Sequence, residues 1–300
     1  MVSPGRILWL LRRDLARGPV ASYHFWRTLP KVPAQLRKWS ELPASDIPIH
    51  TLSGAEQFPL LLWMLASLSH FTGMRWRVVV HDDGSLTEEH RQLLADSLPE
   101  SRLISKGEAD RAMEPLLRSH SACRAYRDSH PLAKKCFDVP TFLESHRFLL
   151  LDSDVLFFAE PTELLRWCRE SNDGTCWFNE DPQEPSPVSP AKAESVFGSP
   201  LWPRVNSGLC FLQRDAIRDF DFFEQCLESR EVEGADPWRL EQMLLALGAS
   251  RAGKGGLLPS DYEVSLGRSR NPKSVARHYV GAVRDRFYGE GLAELVQVVG

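Results

Sequence analysis

Two carboxylates one residue apart sit inside an otherwise apolar stretch, Phe148-Leu149-Leu150-Leu151-Asp152-Ser153-Asp154-Val155-Leu156-Phe157-Phe158. A short apolar run containing Phe and Val reads as a buried strand. Burying one unpaired carboxylate is costly, and burying two of like charge is worse. The strand is therefore expected to end near Leu151, with both acids reaching a site that neutralises them. A divalent cation that takes oxygen ligands, Mn²⁺ or Mg²⁺, is the natural neutraliser. Open α/β sheets bind ligands at the carboxyl ends of their strands, which is where such a metal site would lie. The bland alternative is a strand-to-turn corner with two solvated aspartates.

Other residues could act beside this pair. His81-Asp82-Asp83-Gly84-Ser85 follows one strand pattern and precedes a helix pattern. An Asp there accepts hydrogen bonds from ribose hydroxyls or a base N–H, although Asp-Gly is also ordinary turn chemistry. Asn206 offers an amide to a ligand hydroxyl or to a strand edge. Gly208 and Gly281 either let the backbone approach a ligand closely or serve turns. Arg111, Lys134 and Lys135 either hold an anion or form a solvated helix face. His278, alone in its segment, is a metal ligand or a structural imidazole.

The elements that would position these residues alternate. Ile47–Leu52 reads as a strand ending at Ser53-Gly54, followed by a helix from about Glu56 to His70 with Gly73 as its stop. Arg75–Val80 is a second strand, Thr87 caps a helix through about Ser97, and Arg102–Ile104 is a third strand. This β-α-β-α-β order implies a parallel sheet with helices on its faces. Residues 107–146 read as helical and basic. After the Asp-x-Asp strand come a helix from Pro161 to Arg169 and a strand at Thr175–Phe178. Asp181–Pro203 holds six prolines and reads as a long loop, of the kind that forms lids or binding loops. Asn206–Gln213 is a strand, and Phe220–Glu228 and Trp238–Leu247 are helices.

The composition of the 300-residue chain, 43% hydrophobic and 25% charged, is that of an ordinary globular protein. Its net charge of −4 gives no reason to expect nucleic acid as a partner. The charge is unevenly spread. Arg6, Arg12, Arg13, Arg17, Arg27, Lys31, Arg37 and Lys38 face Asp14 alone, so residues 1–40 carry +7 and the remainder −11. Residues 1–45 read as a basic extension, either solvated or packed on the domain. Because Trp9, Trp26 and Trp39 interleave with the arginines, a peripheral membrane contact is the sharper alternative. Ile7–Leu11 is too short for a secretory leader, and no stretch reaches the ~20 apolar residues of a membrane span. The six scattered cysteines contain no Cys-x-x-Cys pair, which fits reduced thiols and a cytoplasmic, at most membrane-peripheral, location.

In order along the chain stand Asp152-Ser153-Asp154, Asn206-Ser207-Gly208, Glu241-Gln242 and His278-Tyr279-Val280-Gly281-Ala282-Val283-Arg284. This series resembles the A-type (GT-A) nucleotide-sugar glycosyltransferases, and within them the retaining family of glycogenin and the bacterial lipopolysaccharide galactosyltransferases. Those proteins carry Asp-x-Asp, Asn-Ser-Gly, Asp-Gln and His-x-x-Gly-x-x-Lys in the same order. Here Glu241 replaces Asp, Arg284 replaces Lys, and Asp285-Arg286 stands where the family continues Pro-Trp. The resemblance spans about Ile47 to Arg284.

It implies an α/β, Rossmann-like GT-A fold, a mostly parallel sheet with helices on both faces. Residues 46–300 would form one catalytic domain, with a nucleotide-binding half at 46–155 and an acceptor half at 156–300. It implies metal-dependent transfer of a sugar from a nucleotide-sugar, UDP-linked by default, to a glycan, lipid-linked or protein acceptor, with retention. Asp152, Asp154 and His278 would hold Mn²⁺ or Mg²⁺, leaving coordination positions for two diphosphate oxygens. Thr51, Ser53, Asp82, Asp83, Lys135, Gly281 and Arg284 would bind the nucleoside diphosphate. Asn206, Glu241 and Gln242 would orient sugar and acceptor. Trp177-Phe178-Asn179-Glu180-Asp181 would border the acceptor pocket.

Three alternatives stay open on sequence. An inverting transferase needs a carboxylate base, for which Glu241, Glu180 or Asp181 could serve. A haloacid-dehalogenase-type phosphohydrolase also uses strand-Asp-x-Asp, but after the first strand of its domain. A GT-A-like protein that binds nucleotide without turnover would keep the same residues.

Overall fold

The computed structural model describes residues 41–170, 175–253 and 255–298, together with Gly18, Pro19, Ser22, Tyr23, Arg27 and Leu36. The expectation of a basic extension over 1–45 and its membrane contact thus falls almost wholly outside the described residues.

The first half is β1 (Ile49–Ser53), α1 (Phe58–Thr72), β2 (Val78–Asp82), α2 (Glu88–Ser97), β3 (Arg102–Ile104), then three helices, α3 (Lys106–Leu116), α4 (Ser121–Ser129) and α5 (Lys134–Thr141). There follow β4 (Arg147–Leu151), β5 (Val155–Phe157), α6 (Thr162–Arg169), β6 (Cys176–Glu180), α7 (Pro190–Phe197) and β7 (Val205–Gln213). The chain closes with α8 (Phe220–Leu227), α9 (Pro237–Arg251), β8 (Gly255–Leu257), β9 (Tyr262–Val264), β10 (Ala276–His278) and α10 (Leu292–Val298).

The main sheet has the strand order β3-β2-β1-β4-β7-β6-β8. Four of its six pairings are parallel; β7 runs antiparallel to both neighbours. Both faces of this sheet are covered, and its central strands read as near-continuous apolar runs for that reason. Side chains alternate along β4. Leu149 and Leu151 join α1 and α6 in one core, while Phe148 and Leu150 join α5, α8 and α9 in the other. A second sheet, β5-β10-β9, carries the C-terminal segment back to the middle of the chain.

Three expectations change. The run Phe148–Phe158 is two strands in two sheets, because the chain turns at 152–154 between them. The second strand starts at Val78 rather than Arg75 and includes His81 and Asp82. The stretch 181–203 is not all loop. It contains α7, with Ser189 accepting from the Lys192 N–H, Pro190 at the first helical position and Gly198 closing the helix at φ 60°. Proline composition opposes helix interiors but suits a first turn, where the missing N–H has no partner to lose.

Candidate active site

Asp152 and Asp154 stand at the carboxyl end of β4, at the junction of the two sheets. Asp152 keeps a main-chain bond to β7, its N–H donating to the Gly208 carbonyl at 2.8 Å. Asp154 faces the other way, its carbonyl accepting from the Tyr279 N–H at 2.9 Å. Because β10 pairs antiparallel with β5, His278 lies opposite Val155, beside Asp154. Sheet register thus brings together residues more than a hundred positions apart.

The His278 Nε2 lies 3.1 Å from Asp154 Oδ1 and 3.7 Å from Asp152 Oδ2. One ligand atom from each of the three residues lies within 4.8 Å of the others. On the far side of the ring, Nδ1 is 2.8 Å from Asn206 Oδ1. That oxygen also accepts from the Gly208 N–H at 3.0 Å. An Nδ1–H donating to an amide oxygen leaves Nε2 with its lone pair, the arrangement of a metal-bound histidine. The set of two carboxylates and one imidazole fits Mn²⁺ or Mg²⁺. Gly208 makes the geometry possible. A Cβ there would fall 2.1 Å from the His278 ring, so this glycine serves close approach of a ring.

Charge is balanced around the pair. Lys135, 1% exposed, places its ammonium 2.7 Å from Asp152 Oδ1 and 3.5 Å from Glu241 Oε1. Glu241 Oε2 in turn accepts from the Ser207 hydroxyl at 2.7 Å. Arg284 Nε donates to Asp154 Oδ2 at 2.8 Å, and its side chain is 47% exposed. Burial alone would raise the Asp154 carboxyl; the charges of His278 and Arg284 outweigh it and hold the acid at about 2. Burial pulls His278 down, but the Asp154 carboxylate reverses this and raises it. Burial also pulls Lys135 down, and the carboxylates of Asp152 and Glu241 reverse that. Glu241 is raised, by burial first and the charge of Asp152 second, against the opposing pull of Lys135.

Not every expected residue converges here. Thr51 is fully buried within β1, and its hydroxyl has no partner among the described residues. The Ser53 hydroxyl donates to the neighbouring Gly54 carbonyl at 3.4 Å. Asp82 is committed to its own turn: its carboxylate accepts from the Gly84 and Leu86 N–H groups and from Arg91. Asp83 accepts from the Ser85 N–H and hydroxyl and crosses directly above Gly54, where a Cβ would lie 2.1 Å from Oδ2. Gly281 opens a short turn with open space where a Cβ would be. Gln242 is 6% exposed, with an Oε1 lacking a partner among the described residues.

Lys134 and Lys135 are both buried, and the Lys134 ammonium donates to the Asp82 carbonyl at 3.2 Å. The adjacent Ala133 and Cys136-Phe137, all fully buried, were the sequence signal that this is no solvated face. The Ser207–Glu241 bond had no sequence signal, since it joins β7 to α9.

No protein-family model matches the sequence, and no curated protein sequence does. Solved structures do match. The WbbM bifunctional glycosyltransferase superposes with TM-score 0.54 at 12% identity, over 85% of this chain and 50% of the WbbM chain, so this chain spans half of that protein. An active-site mutant of LgtC superposes with TM-score 0.52 at 15% identity, over 84% of this chain and 96% of LgtC. At such identities the likeness is one of architecture: the chain has the GT-A fold of the glycosyltransferases.

Proposed function

We propose that this chain is a metal-dependent glycosyltransferase that moves a sugar from a nucleotide-sugar, a UDP-sugar by default, to a hydroxyl of a glycan, lipid-linked or protein acceptor, with retention. The observation that carries this reading is the convergence of Asp152, Asp154 and the His278 Nε2 on one point at the carboxyl edge of a GT-A sheet. A divalent cation bound there supplies charge stabilisation to the departing diphosphate.

The chain's own residues divide the remaining work. Asp152, Asp154 and His278 hold the ion. Lys135 holds the Asp152 carboxylate in place and acts on the diphosphate through it, since its ammonium is buried between two acids. Arg284 has only its Nε engaged by Asp154 and is exposed enough to offer its remaining N–H groups to phosphate oxygens. Gly281 leaves open space beside it. Asp83 and the strand end at Ser53 would meet the nucleoside, with the buried Thr51 and Asp82 behind them. Asn206 and Gln242 present amides to the sugar, Asn206 through the one N–H its structural bonds leave over.

Retention follows the family resemblance, and Glu241, one of the three carboxylates considered as an inverting base, does not oppose it. Its carboxylate is 1% exposed and held by Lys135 and Ser207, so it is not poised as a base for an acceptor hydroxyl.

The test is calorimetric titration of UDP with and without Mn²⁺, on the native protein and on Asp154→Ala. Metal-dependent binding that disappears in the variant supports the reading. UDP binding indifferent to both metal and Asp154 removes it.

A further inference from the structure

We infer that Asp181 is a positioning residue for His278, acting through the Asn206 amide, and that it ties the base of the 181–203 segment to the metal site. The inference rests on the metal reading above.

The amide of Asn206 can face only one way. Its Oδ1 meets the Gly208 N–H at 3.0 Å, and a backbone N–H can only donate. Its Nδ2 lies 2.9 Å from Asp181 Oδ2, and a carboxylate can only accept. Both contacts demand the same orientation. The atom left facing His278 Nδ1 at 2.8 Å is therefore an oxygen, and Nδ1 must carry the proton. Turned over, the amide would set N–H groups against both Gly208 N–H and Nδ1. The ring proton would then move to Nε2 and occupy the position a metal needs. Asp181 thus guards against that flip from the one side of the amide that touches neither the ring nor the strand.

Asp181 is itself held in place. Its Oδ1 accepts from the Gln183 N–H at 3.0 Å. Its N–H donates to the Arg204 carbonyl at 2.7 Å, and its carbonyl accepts from Arg204 Nε at 2.9 Å. Arg204 pairs with Glu180 at 2.9 Å and adopts φ 56°, a left-handed conformation that a non-glycine residue keeps only when its surroundings enforce it. Residues 181 and 204 therefore pinch the two ends of the segment together. From that pinch to the imidazole there are two hydrogen bonds, so a shift of the segment's base reaches the metal ligand directly.

The experiment titrates Mn²⁺ by electron paramagnetic resonance and reads the His278 ring by ¹⁵N NMR on the metal-free chain, at a pH where the ring is neutral. The chains compared are wild type, Asp181→Ala, Asp181→Asn and, as a control, Gln183→Ala. Asp181→Ala should weaken Mn²⁺ binding ~10- to 100-fold and admit the Nε2–H tautomer. Asp181→Asn, whose amide oxygen still accepts from Asn206, should recover most of the affinity, and Gln183→Ala should keep all of it. Should Asp181→Ala not fold, Asp181→Ser, too short to reach Asn206, carries the same expectation. Affinity within about twofold of wild type together with an unchanged Nδ1–H ring overturns the inference. A wild type that binds no Mn²⁺ defeats the metal reading instead, and the tautomer of the metal-free ring then decides this inference alone.

Discussion

Two polar clusters, one inside the main sheet and one at its junction with the second, are built in opposite ways. On β1 and β2, His50 and His81 meet at 3.0 Å between Nδ1 and Nε2, flanked by the rings of Phe148 and Phe142. Burial lowers both imidazoles, His81 to about 3, and each imidazole's charge would only repel neighbouring cations. The pair is neutral and joined by that one hydrogen bond, with His81 Nδ1 left without a partner among the described residues. At the end of β4, by contrast, the carboxylates of Asp152 and Asp154 both converge on His278 Nε2, and Lys135 and Arg284 contact only part of the carboxylate edges. A buried polar pair that closes on itself organises a sheet. One where two carboxylates converge is completed by positive charge, from its own side chains or from a bound ion.

The sharpest break of this comparison is Asp154→Ala, which should abolish metal-dependent UDP binding by calorimetry, a loss of at least ~100-fold. Retained affinity would place the cation elsewhere. Next is Lys135→Met, which strips Asp152 and Glu241 of their buried counter-ion. Unfolding in urea should show a loss of about 3–5 kcal/mol, reduced when Mn²⁺ is present. A variant as stable as wild type would mean the two acids are not both charged. Gly208→Ala pushes a Cβ into the His278 ring and should weaken Mn²⁺ binding by ~10- to 100-fold.

The histidine pair gives a smaller, pH-dependent effect. Both groups are depressed in the folded chain, so below the ordinary value of 6.5 the unfolded chain binds more protons. Their contribution is intact above about pH 6.5 and is lost as pH falls toward the folded value, by up to ~1.4 kcal/mol per pH unit for each ring. The double variant His50→Leu with His81→Leu should flatten that slope in denaturant melts at successive pH values. An unchanged slope would show that groups other than this pair set it. The smallest effect belongs to Gly281→Ala, where no atom opposes a Cβ. Mn²⁺ affinity should stay within about twofold, in contrast to Gly208→Ala.

Local pattern carried much of the fold. Arg102–Ile104 is a strand with the expected limits, Gly73 ends α1 in the left-handed conformation, and Thr87 caps α2 in a reciprocal pair with His90. The two caps depend on residues within one turn of each other, so neighbouring chemistry suffices. The helix at Pro190–Phe197 was hidden because proline count is blind to position. Gly208 and Gly281 read alike in the sequence, yet only Gly208 is pressed by a side chain from another sheet.

The sequence by itself determined that two acids end a buried strand within a β-α-β frame, and that an Asn-Ser-Gly strand and a late histidine follow in order. Apolar periodicity and the cost of burying charge are enough to force that much. Only the tertiary structure decided which groups complete the acids. The antiparallel register of β5 and β10 delivers His278, the β4–β7 pairing delivers Asn206-Ser207-Gly208, and α5 and α9 deliver Lys135 and Glu241. Those partners come from separate elements, and their contacts exist only once sheet register and helix packing have fixed distances to within a hydrogen bond.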